Sequence, residues 1–166
     1  RIENAFVKDG LLTIKCIKES YKNKDYGNES LAKDPDHHWK TVDENASYTS
    51  ASINTRGKYE WTYGKVEVRA KLPSGAGVWP AIWTMGGDIH TVGWPKSGEI
   101  DIMEFVGNQP NQIQANFHYP NQQTGLPTQK PGTTKVEKPW EDFHIYAMEW
   151  DENVIKISYD GRVFHT

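Results

Sequence analysis

The sequence Glu99-Ile100-Asp101-Ile102-Met103-Glu104-Phe105 is a β-rich run between glycines at positions 98 and 107. Alternation along a strand puts the two isoleucines on one face and Glu99 and Asp101 on the other. The same alternation would turn Glu104 toward the isoleucine side, where a carboxylate is costly to bury. A β-bulge around Met103 adds one unpaired residue and returns Glu104 to the face of the other acids. The sequence therefore predicts a bulged strand with three carboxylates on one side.

The spacing of the two glutamates fits chemistry on a glycosidic bond. Five steps of about 3.3 Å separate their α-carbons by roughly 16 Å, and a bulge shortens this by about one step. Side chains that each reach about 4 Å inward leave a carboxyl gap near 5 Å, as in retaining glycosidases. Asp101, between them, would help to keep one acid protonated. The alternative is a solvated acidic face that binds Lys or Arg on neighbouring strands.

The composition limits the classes of partner. The 166-residue chain can bury one core and is most simply one domain, residues 1–166. Its net charge of −3 provides no broad basic surface, so we expect no nucleic-acid partner. No apolar run approaches the about 18 residues of a membrane span, so no membrane partner is expected either. Seven Trp and eight Tyr favour aromatic platforms for sugar faces, and the single cysteine, Cys16, excludes an internal disulfide.

Strand and turn signals recur along the chain, and no helical periodicity of useful length interrupts them. The sequence therefore predicts an all-β sandwich of two antiparallel sheets. Residues 20–46 and 119–139 are expected to be long polar loops, and His37 and His38 in the first are adjacent loop residues for which no metal site is predicted. The expected strands are a hairpin at 4–17, strands at 48–53, 61–72, 78–84, 99–105 and 113–118, and a closing hairpin at 143–159 followed by a short last strand.

Several motifs together resemble glycoside hydrolase family 16. The acidic strand, preceded by Gly-Trp-Pro-Lys-Ser-Gly at 93–98, is similar to the active-site signature of that family. The two residues between Asp101 and Glu104 resemble the laminarinase-like branch, whereas the lichenase-like branch has one residue and no bulge. Further matching segments lie at 48–55, 63–73, 77–83, 143–150 and 159–161. The resemblance implies a β-jelly-roll sandwich with a sugar-binding cleft across its concave sheet.

The resemblance also implies an activity and a role for each acid. It implies a secreted enzyme that hydrolyses β-1,3-linked glucan internally, with retention of configuration at the cleaved bond. Glu99 would be the nucleophile, Asp101 the assisting carboxylate and Glu104 the general acid/base. Mixed-linkage β-glucan and a galactan remain open as substrates, and transglycosylation remains open as the outcome if an acceptor sugar outcompetes water.

Candidate sugar-binding residues follow from the same matched segments. Trp79, Trp83 and Trp94 would line sugar subsites, although Trp79 has an equal chance of facing the core. His118, on the next strand, would lie near the acid/base; its alternative is a structural hydrogen bond to a strand-edge carbonyl. Asn4 would match a family Asn that contacts sugar. The remaining large tryptophans at 61, 140 and 150 are expected in the core or at its rim.

The chain departs from the family pattern in two ways. Many members have an Arg where this chain has Ser52, and we expect Arg56 or Arg69 to replace it in the cleft. The chain also lacks the opening and closing strands of the family domain, so a second chain or segment is expected to complete the sandwich and cover its open edges. Some members bind a structural calcium through segments absent here, so no cofactor and no metal site are predicted.

A non-hydrolytic alternative has the same architecture. Lectins and carbohydrate-binding modules share the sandwich and an aromatic cleft without cleaving their ligand. A pure binder does not need a pair of carboxylates aligned by a bulge, so the acidic row favours the enzyme. Release of reducing sugar from laminarin separates the two classes of protein.

Overall fold

The computed structural model describes residues 1–33 and 38–166, which divide into two compact units, Arg1–Thr55 and Arg56–Thr166. The first unit consists of two antiparallel pairs of strands. β1 (Ala5–Lys8) pairs with β2 (Leu11–Ile14), and β3 (Ile17–Lys22) pairs with β4 (Asn45–Thr49). The predicted N-terminal hairpin is therefore confirmed. Within the described residues, no helix is long and apolar enough to cross a membrane.

The prediction of a long loop at 20–46 is wrong in part. β3 continues to Lys22, and two short helical turns follow, α1 (Glu29–Ala32) and a 3₁₀ turn at His38–Thr41. Asn28 caps α1, because its Oδ1 accepts hydrogen bonds from the backbone N–H groups at positions 30 and 31. A single helical turn is too short to show a 3.6-residue period, so the sequence pattern gives no signal for it. His37 lies outside the described residues.

The second unit contains two four-stranded antiparallel sheets. Its strands are β5 (Gly64–Ala70), β6 (Ala81–Met85), β7 (Glu99–Glu104), β8 (Gln112–Pro120), β9 (Pro127–Lys135), β10 (His144–Trp150), β11 (Ile155–Tyr159) and β12 (Arg162–His165). The sheet that contains the acidic strand, called the acidic sheet, has the order β6-β7-β8-β9, and the other, called the covering sheet, has the order β12-β11-β10-β5. A single turn of helix, α2 (Ile89–Val92), lies between β6 and β7.

β9 corrects the prediction of a loop at 119–139. It pairs with β8 over nine residues, although it contains Pro127 and Pro131. Proline is tolerated there because β9 is an edge strand and pairs on one side only. Gly132 is required on this strand, since a Cβ would lie 2.4 Å from the ring of His165 on β12. His165 in turn lies with its Nε2 2.8 Å from the carbonyl oxygen of Lys130, so the edges of the two sheets meet here.

The core of this unit joins the two sheets. β7 and β8 contribute side chains from the acidic sheet, and β10 and β11 contribute them from the covering sheet. The three tryptophans expected in the core or at its rim are partly buried and pack against this cluster, as predicted. The buried members are Leu72, Ile102, Met103, Phe105, Ile113, Ala115, Val136, Tyr146, Met148 and Ile157.

Asp160 fixes the turn between β11 and β12. Its φ of 46° is a left-handed conformation that Asp and Asn tolerate better than most residues. Its Oδ1 accepts a hydrogen bond from the Ile145 backbone N–H at 2.8 Å, and its Oδ2 lies 2.7 Å from His144 Nδ1. Burial acts to raise the pKa of Asp160, but these two hydrogen bonds and the charge of His144 outweigh it and lower the pKa below its usual value.

We expect Asp160→Asn to lower the free energy of unfolding at neutral pH by less than about 1 kcal/mol, because solvent screens a partly exposed pair. An acid whose folded pKa is depressed stabilises the fold above its unfolded pKa and loses that contribution as the pH falls through the folded value. The difference between parent and variant should therefore shrink below about pH 4 in urea unfolding. Asp151→Asn is the control, since Asp151 accepts backbone hydrogen bonds at another turn. A difference that persists in acid would contradict this assignment.

Candidate active site

β7 lies inside the acidic sheet, with β6 on one side and β8 on the other. Between Asp101 and Glu104, β7 takes three residue steps where β8 takes two, so one residue of β7 is unpaired. The register with β6 shifts in the same region, and the predicted bulge is confirmed. The paired residues are Glu99–His118, Asp101–Asn116 and Glu104–Gln114 with β8, and Asp101–Trp83, Met103–Ile82 and Glu104–Ala81 with β6.

The bulge lets two consecutive side chains enter the core. Ile102 and Met103 are each 1% exposed, whereas a regular strand sends neighbouring side chains to opposite faces. Glu99 and Glu104 are half-buried, and Asp101 between them is 4% exposed. The strand therefore separates two buried apolar residues from a row of three acids.

Glu104 accepts a hydrogen bond at each of its carboxylate oxygens. Trp79 Nε1 donates to Oε1 and Gln114 Nε2 donates to Oε2, both at 2.9 Å. Gln114 is the β8 residue opposite Glu104, so its bond crosses directly between neighbouring strands. Trp79 comes from the segment before β6, and its side chain is 65% exposed. The carboxylate of Glu104 is thus oriented from two sides by neutral donors.

Glu99 is held in a similar way at the other end of the row. Trp94, in the loop between α2 and β7, donates from Nε1 to Glu99 Oε2 at 2.7 Å. The Trp94 ring lies 5.8 Å from the imidazole of His118, the β8 residue opposite Glu99. Trp79 and Trp94 therefore each bind one glutamate through the indole N–H and keep a large part of the ring exposed.

Asp101 is the acid most affected by its surroundings. Burial, then the charges of Glu104 and Glu99 and a hydrogen bond with Glu99, raises the pKa of Asp101 to about 8. Its Oδ2 also lies 3.1 Å from His118 Nε2. A central acid that is protonated at neutral pH adds no third negative charge to the row, and it can donate a hydrogen bond to Glu99.

His118 is paired with Glu99, at the other end of the acidic row from Glu104. It faces Glu99 and Asp101, whereas the position opposite Glu104 belongs to Gln114. The reason is the antiparallel register of β8, in which residues further along the chain meet the beginning of β7. The expected proximity of His118 to the acid/base stays a prediction, and the contact that the structure shows is the one with Asp101.

The remaining predicted sugar-binding residues lie in different parts of the chain. Trp83 is on β6 opposite Asp101 and is 47% exposed. Arg56 lies in an exposed turn at 56–58. Asn4 belongs to the first unit, where it is buried and its Nδ2 donates to the Lys15 carbonyl at 3.1 Å and to Thr49 Oγ1 at 3.0 Å. These bonds give Asn4 a structural role in its own unit, and its sugar contact stays a prediction without support from the geometry.

Sequence comparison assigns the family. The chain matches the profile described as glycosyl hydrolases family 16 over residues 15–166. The chain belongs to this family. It is 39% identical over 168 aligned residues to a β-glucanase of Rhodothermus marinus, a match that covers 99% of this chain and 51% of the relative. The predicted resemblance to family 16 is confirmed.

Solved structures with similar sequences have the same fold. The laminarinase catalytic domain of Thermotoga maritima superposes with a TM-score of 0.79 at 37% identity, and the match covers 98% of this chain and 59% of that one. A second structure comes from work on endo-acting O-glycanases with which members of the human gut microbiota initiate mucin breakdown. It superposes with a TM-score of 0.84 at 34% identity, and the match covers 99% of this chain and 56% of that one. The predicted all-β sandwich is confirmed, and the chain spans about half the length of these relatives.

Two polar residues of this family 16 site were not predicted from the sequence. Gln114 binds Glu104, and Asn116 lies opposite Asp101 with its Nδ2 3.1 Å from His118 Nε2. A signal for both exists, because polar residues at 112, 114, 116 and 118 alternate with apolar ones at 113, 115 and 117. This alternation predicts a polar strand face, but only the register shows which acid each residue meets.

The family 16 site also contains one cluster of three side chains of the types that bind metals. The cluster consists of Glu99, Asp101 and His118, each of which offers one ligand atom, and these atoms lie within 4.8 Å of one another. Residues 1–33 and 38–166 contain no second cluster of this kind. The contact of Asp101 with His118 and its hydrogen bond with Glu99 account for this proximity. We assign no metal ligand here.

We expect Asp101→Asn to stabilise the fold in mild alkali. An acid whose folded pKa is raised binds its proton more tightly when folded, so its contribution to stability falls as the pH rises from about 4 to about 8. Asn does not titrate, so the variant does not lose stability in this way. Its free energy of unfolding should exceed that of the parent by more than about 1 kcal/mol at pH 8. Urea unfolding between about pH 5 and pH 8 measures the difference. Parallel pH profiles for parent and variant would contradict a proton on Asp101.

Proposed function

We propose that the protein containing this chain is a retaining endo-glycosidase that cleaves β-1,3-linked glucan. The observation that carries the proposal is the arrangement of Glu99 and Glu104 along β7, each oriented by the indole N–H of an exposed tryptophan. The names of the relatives, β-glucanase and laminarinase, support this substrate class. A secreted protein is proposed with it, because an endo-acting enzyme must reach a polymer outside the cell.

The proposed reaction proceeds by two displacements. Glu99 attacks the anomeric carbon while Glu104 gives its proton to the glycosidic oxygen; the bond to the leaving sugar breaks and a glycosyl ester forms on Glu99. Glu104 then accepts a proton from water, whose oxygen attacks the anomeric carbon and releases Glu99. Two inversions restore the original configuration. The two carboxylates and water complete this sequence, so the proposal includes no cofactor.

Asp101 supports the first displacement by remaining neutral. A second negative charge beside Glu99 would disfavour the ionised carboxylate that attacks, whereas a protonated Asp101 donates a hydrogen bond that stabilises this carboxylate. Trp79, Trp83 and Trp94 offer exposed aromatic faces on the same sheet or its loops, on which sugar rings can stack. The substrate contact is thus assigned to the aromatic rings and the chemistry to the acids.

Time-resolved proton NMR of laminarin incubated with the full-length protein tests the proposal. We expect new reducing ends to form first as the β-anomer and to mutarotate later. Reducing ends that form first as the α-anomer would contradict retention, and a polymer that is bound but left intact would indicate a lectin-like function. A parallel reaction on mixed-linkage β-glucan compares the two substrate classes, and products longer than the substrate would indicate transglycosylation.

A further inference from the structure

Gln129 is an exposed residue whose side chain is held by a buried one. It lies on the edge strand β9, and its Oε1 accepts a hydrogen bond from Asn116 Nδ2 at 3.0 Å. Asn116 is 5% exposed, and its Nδ2 also lies 3.1 Å from His118 Nε2. A glutamine in solvent samples several rotamers, so holding it in one of them costs conformational entropy. The bond to Asn116 thus fixes a side chain that solvation alone would leave free to move.

The stability of the sheet does not account for this bond. β9 is already paired with β8 over nine residues, so the strand does not depend on a side-chain contact to stay in place. The side-chain oxygen of Asn116 is buried and has no hydrogen-bond partner among the residues that the structure describes. A buried polar atom without a partner costs free energy, which an apolar side chain at this position would avoid. Asn116 is therefore better explained by the groups that its amide holds than by packing.

The other end of the Gln129 amide belongs to the face that carries the acids. Gln129 is directly opposite His118 on β8, and His118 is directly opposite Glu99 on β7. Side chains directly opposite one another in an antiparallel sheet share a face. Gln129 Nε2 has no hydrogen-bond partner within the described part of the chain, so both of its hydrogens can be donated to a ligand. Two strand spacings separate β9 from β7, about 10 Å in all, which is too far for contact with the sugar that Glu99 attacks and suits the neighbouring sugar.

We propose that Gln129 binds the sugar next to the one that Glu99 attacks, and that Asn116 is a positioning residue that holds Gln129 for this contact. The inference rests on the proposed function, because it adds a second sugar subsite to the same reaction. Gln129 Nε2 donates to a hydroxyl or ring oxygen of that sugar. Trp94, whose ring lies 5.8 Å from the imidazole of His118, offers an aromatic face at the same end of the acidic row. An aromatic face and a fixed amide donor complement the apolar face and the polar edge of a sugar ring.

The surroundings of Gln129 favour an uncharged sugar. The next residue of β9 on this face is Pro131, opposite Asn116, which has neither a charge nor a backbone donor. Lys135 is on the same face but opposite Gln112, about 20 Å further along the strand. The carboxylates of β7 repel a sulfate or a carboxylate on the ligand, and no cation near Gln129 on β9 offsets that repulsion. The subsite therefore suits the neutral glucose units of a β-glucan.

The first test measures binding without turnover. Full-length protein carrying Glu99→Gln is titrated with a pentamer of β-1,3-linked glucose by isothermal titration calorimetry. Gln129→Glu, added to this protein, keeps the oxygen that accepts from Asn116 but replaces the free amide nitrogen with an atom that cannot donate. We expect binding to weaken about five- to twentyfold, whereas Gln122→Glu, the same change in an exposed turn, should leave it unchanged. Equal affinities for the two variants would overturn the contact, because a role limited to the bond with Asn116 survives Gln129→Glu.

The second test is a double-mutant cycle for the positioning role. Asn116→Leu keeps a similar side-chain size but removes the donor to Gln129, and in the Glu99→Gln protein it should weaken binding of the pentamer about three- to tenfold. Because Asn116 acts through Gln129, the same change should have less than about a twofold effect in a protein that already carries Gln129→Leu. Asn116→Ser takes its place if the leucine variant does not unfold cooperatively. Losses that simply add would overturn the positioning role.

The binding experiment also separates this inference from the proposed function. If the Glu99→Gln protein binds the pentamer and Gln129→Glu does not weaken that binding, the subsite fails while the glucan substrate stands. If the Glu99→Gln protein does not bind the pentamer at all, the proposed glucan substrate fails and the subsite assigned to it fails as well.

Discussion

Glu99→Gln is expected to reduce turnover of laminarin by at least about 1,000-fold while leaving the fold and glucan binding nearly intact. Gln has the shape of Glu but no negative charge, so it cannot form the glycosyl ester. The Gln side-chain oxygen can still accept the indole N–H of Trp94, which binds Glu99 at 2.7 Å in the parent. Reducing-sugar release measures turnover, and retention on immobilised laminarin measures binding.

The control for this variant is Glu152→Gln, which makes the same chemical change in the exposed turn between β10 and β11. It should match the parent in activity and in affinity. Because Glu99 is one of the charges that raise the pKa of Asp101, Glu99→Gln should also lower that pKa. More than a few per cent of parental activity, in a preparation free of parental protein, would exclude Glu99 as the nucleophile.

Glu104→Ala should have an effect that depends on the leaving group. A general acid contributes most when the leaving alcohol is poor, so we expect a loss of about 1,000-fold on glucan and a much smaller one on an activated aryl glycoside. Azide should rescue the second displacement, since it attacks the glycosyl ester without needing a base to remove a proton. The product would be a β-glycosyl azide, detectable by mass spectrometry and NMR.

Gln114→Ala helps to interpret that result. It removes one of the two donors to Glu104 but keeps the carboxyl group and the bond from Trp79. It should therefore reduce glucan hydrolysis less than Glu104→Ala does and give no azide product. Equal losses on both substrates for Glu104→Ala, without an azide product, would assign Glu104 a structural role in place of the acid/base role.

The row of acids could be predicted because a strand repeats every two residues. Glu99 and Asp101 alternate with isoleucines, and Glu104 is out of phase with them, which a bulge corrects. The partners of these acids could not be predicted in the same way, because they depend on how two strands are aligned. That alignment is a tertiary property, and it places Gln114, not His118, opposite Glu104.

Two other errors have local causes. β9 was missed because Pro127 and Pro131 argue against a strand, and only its position at the edge of a sheet makes them acceptable. The helical turn at Glu29–Ala32 was missed because four residues show no periodicity. Asn4 is a separate case: its sugar contact stays a prediction, and no local sequence pattern reports the contacts that bury it within its own unit.

The bulge in β7 also makes the position of the acids independent of how many side chains the strand packs into the interior. A strand with a single residue between Asp101 and Glu104 would bring its acids to one face without a bulge, as regular alternation requires. The inserted residue leaves that outcome unchanged and gives the interior a second consecutive side chain, since Ile102 and Met103 are both 1% exposed. Burial of one such side chain stabilises a fold by roughly 1.5–3 kcal/mol. An insertion at this point therefore alters the packing of the interior without displacing the reactive groups, so the two properties can evolve independently.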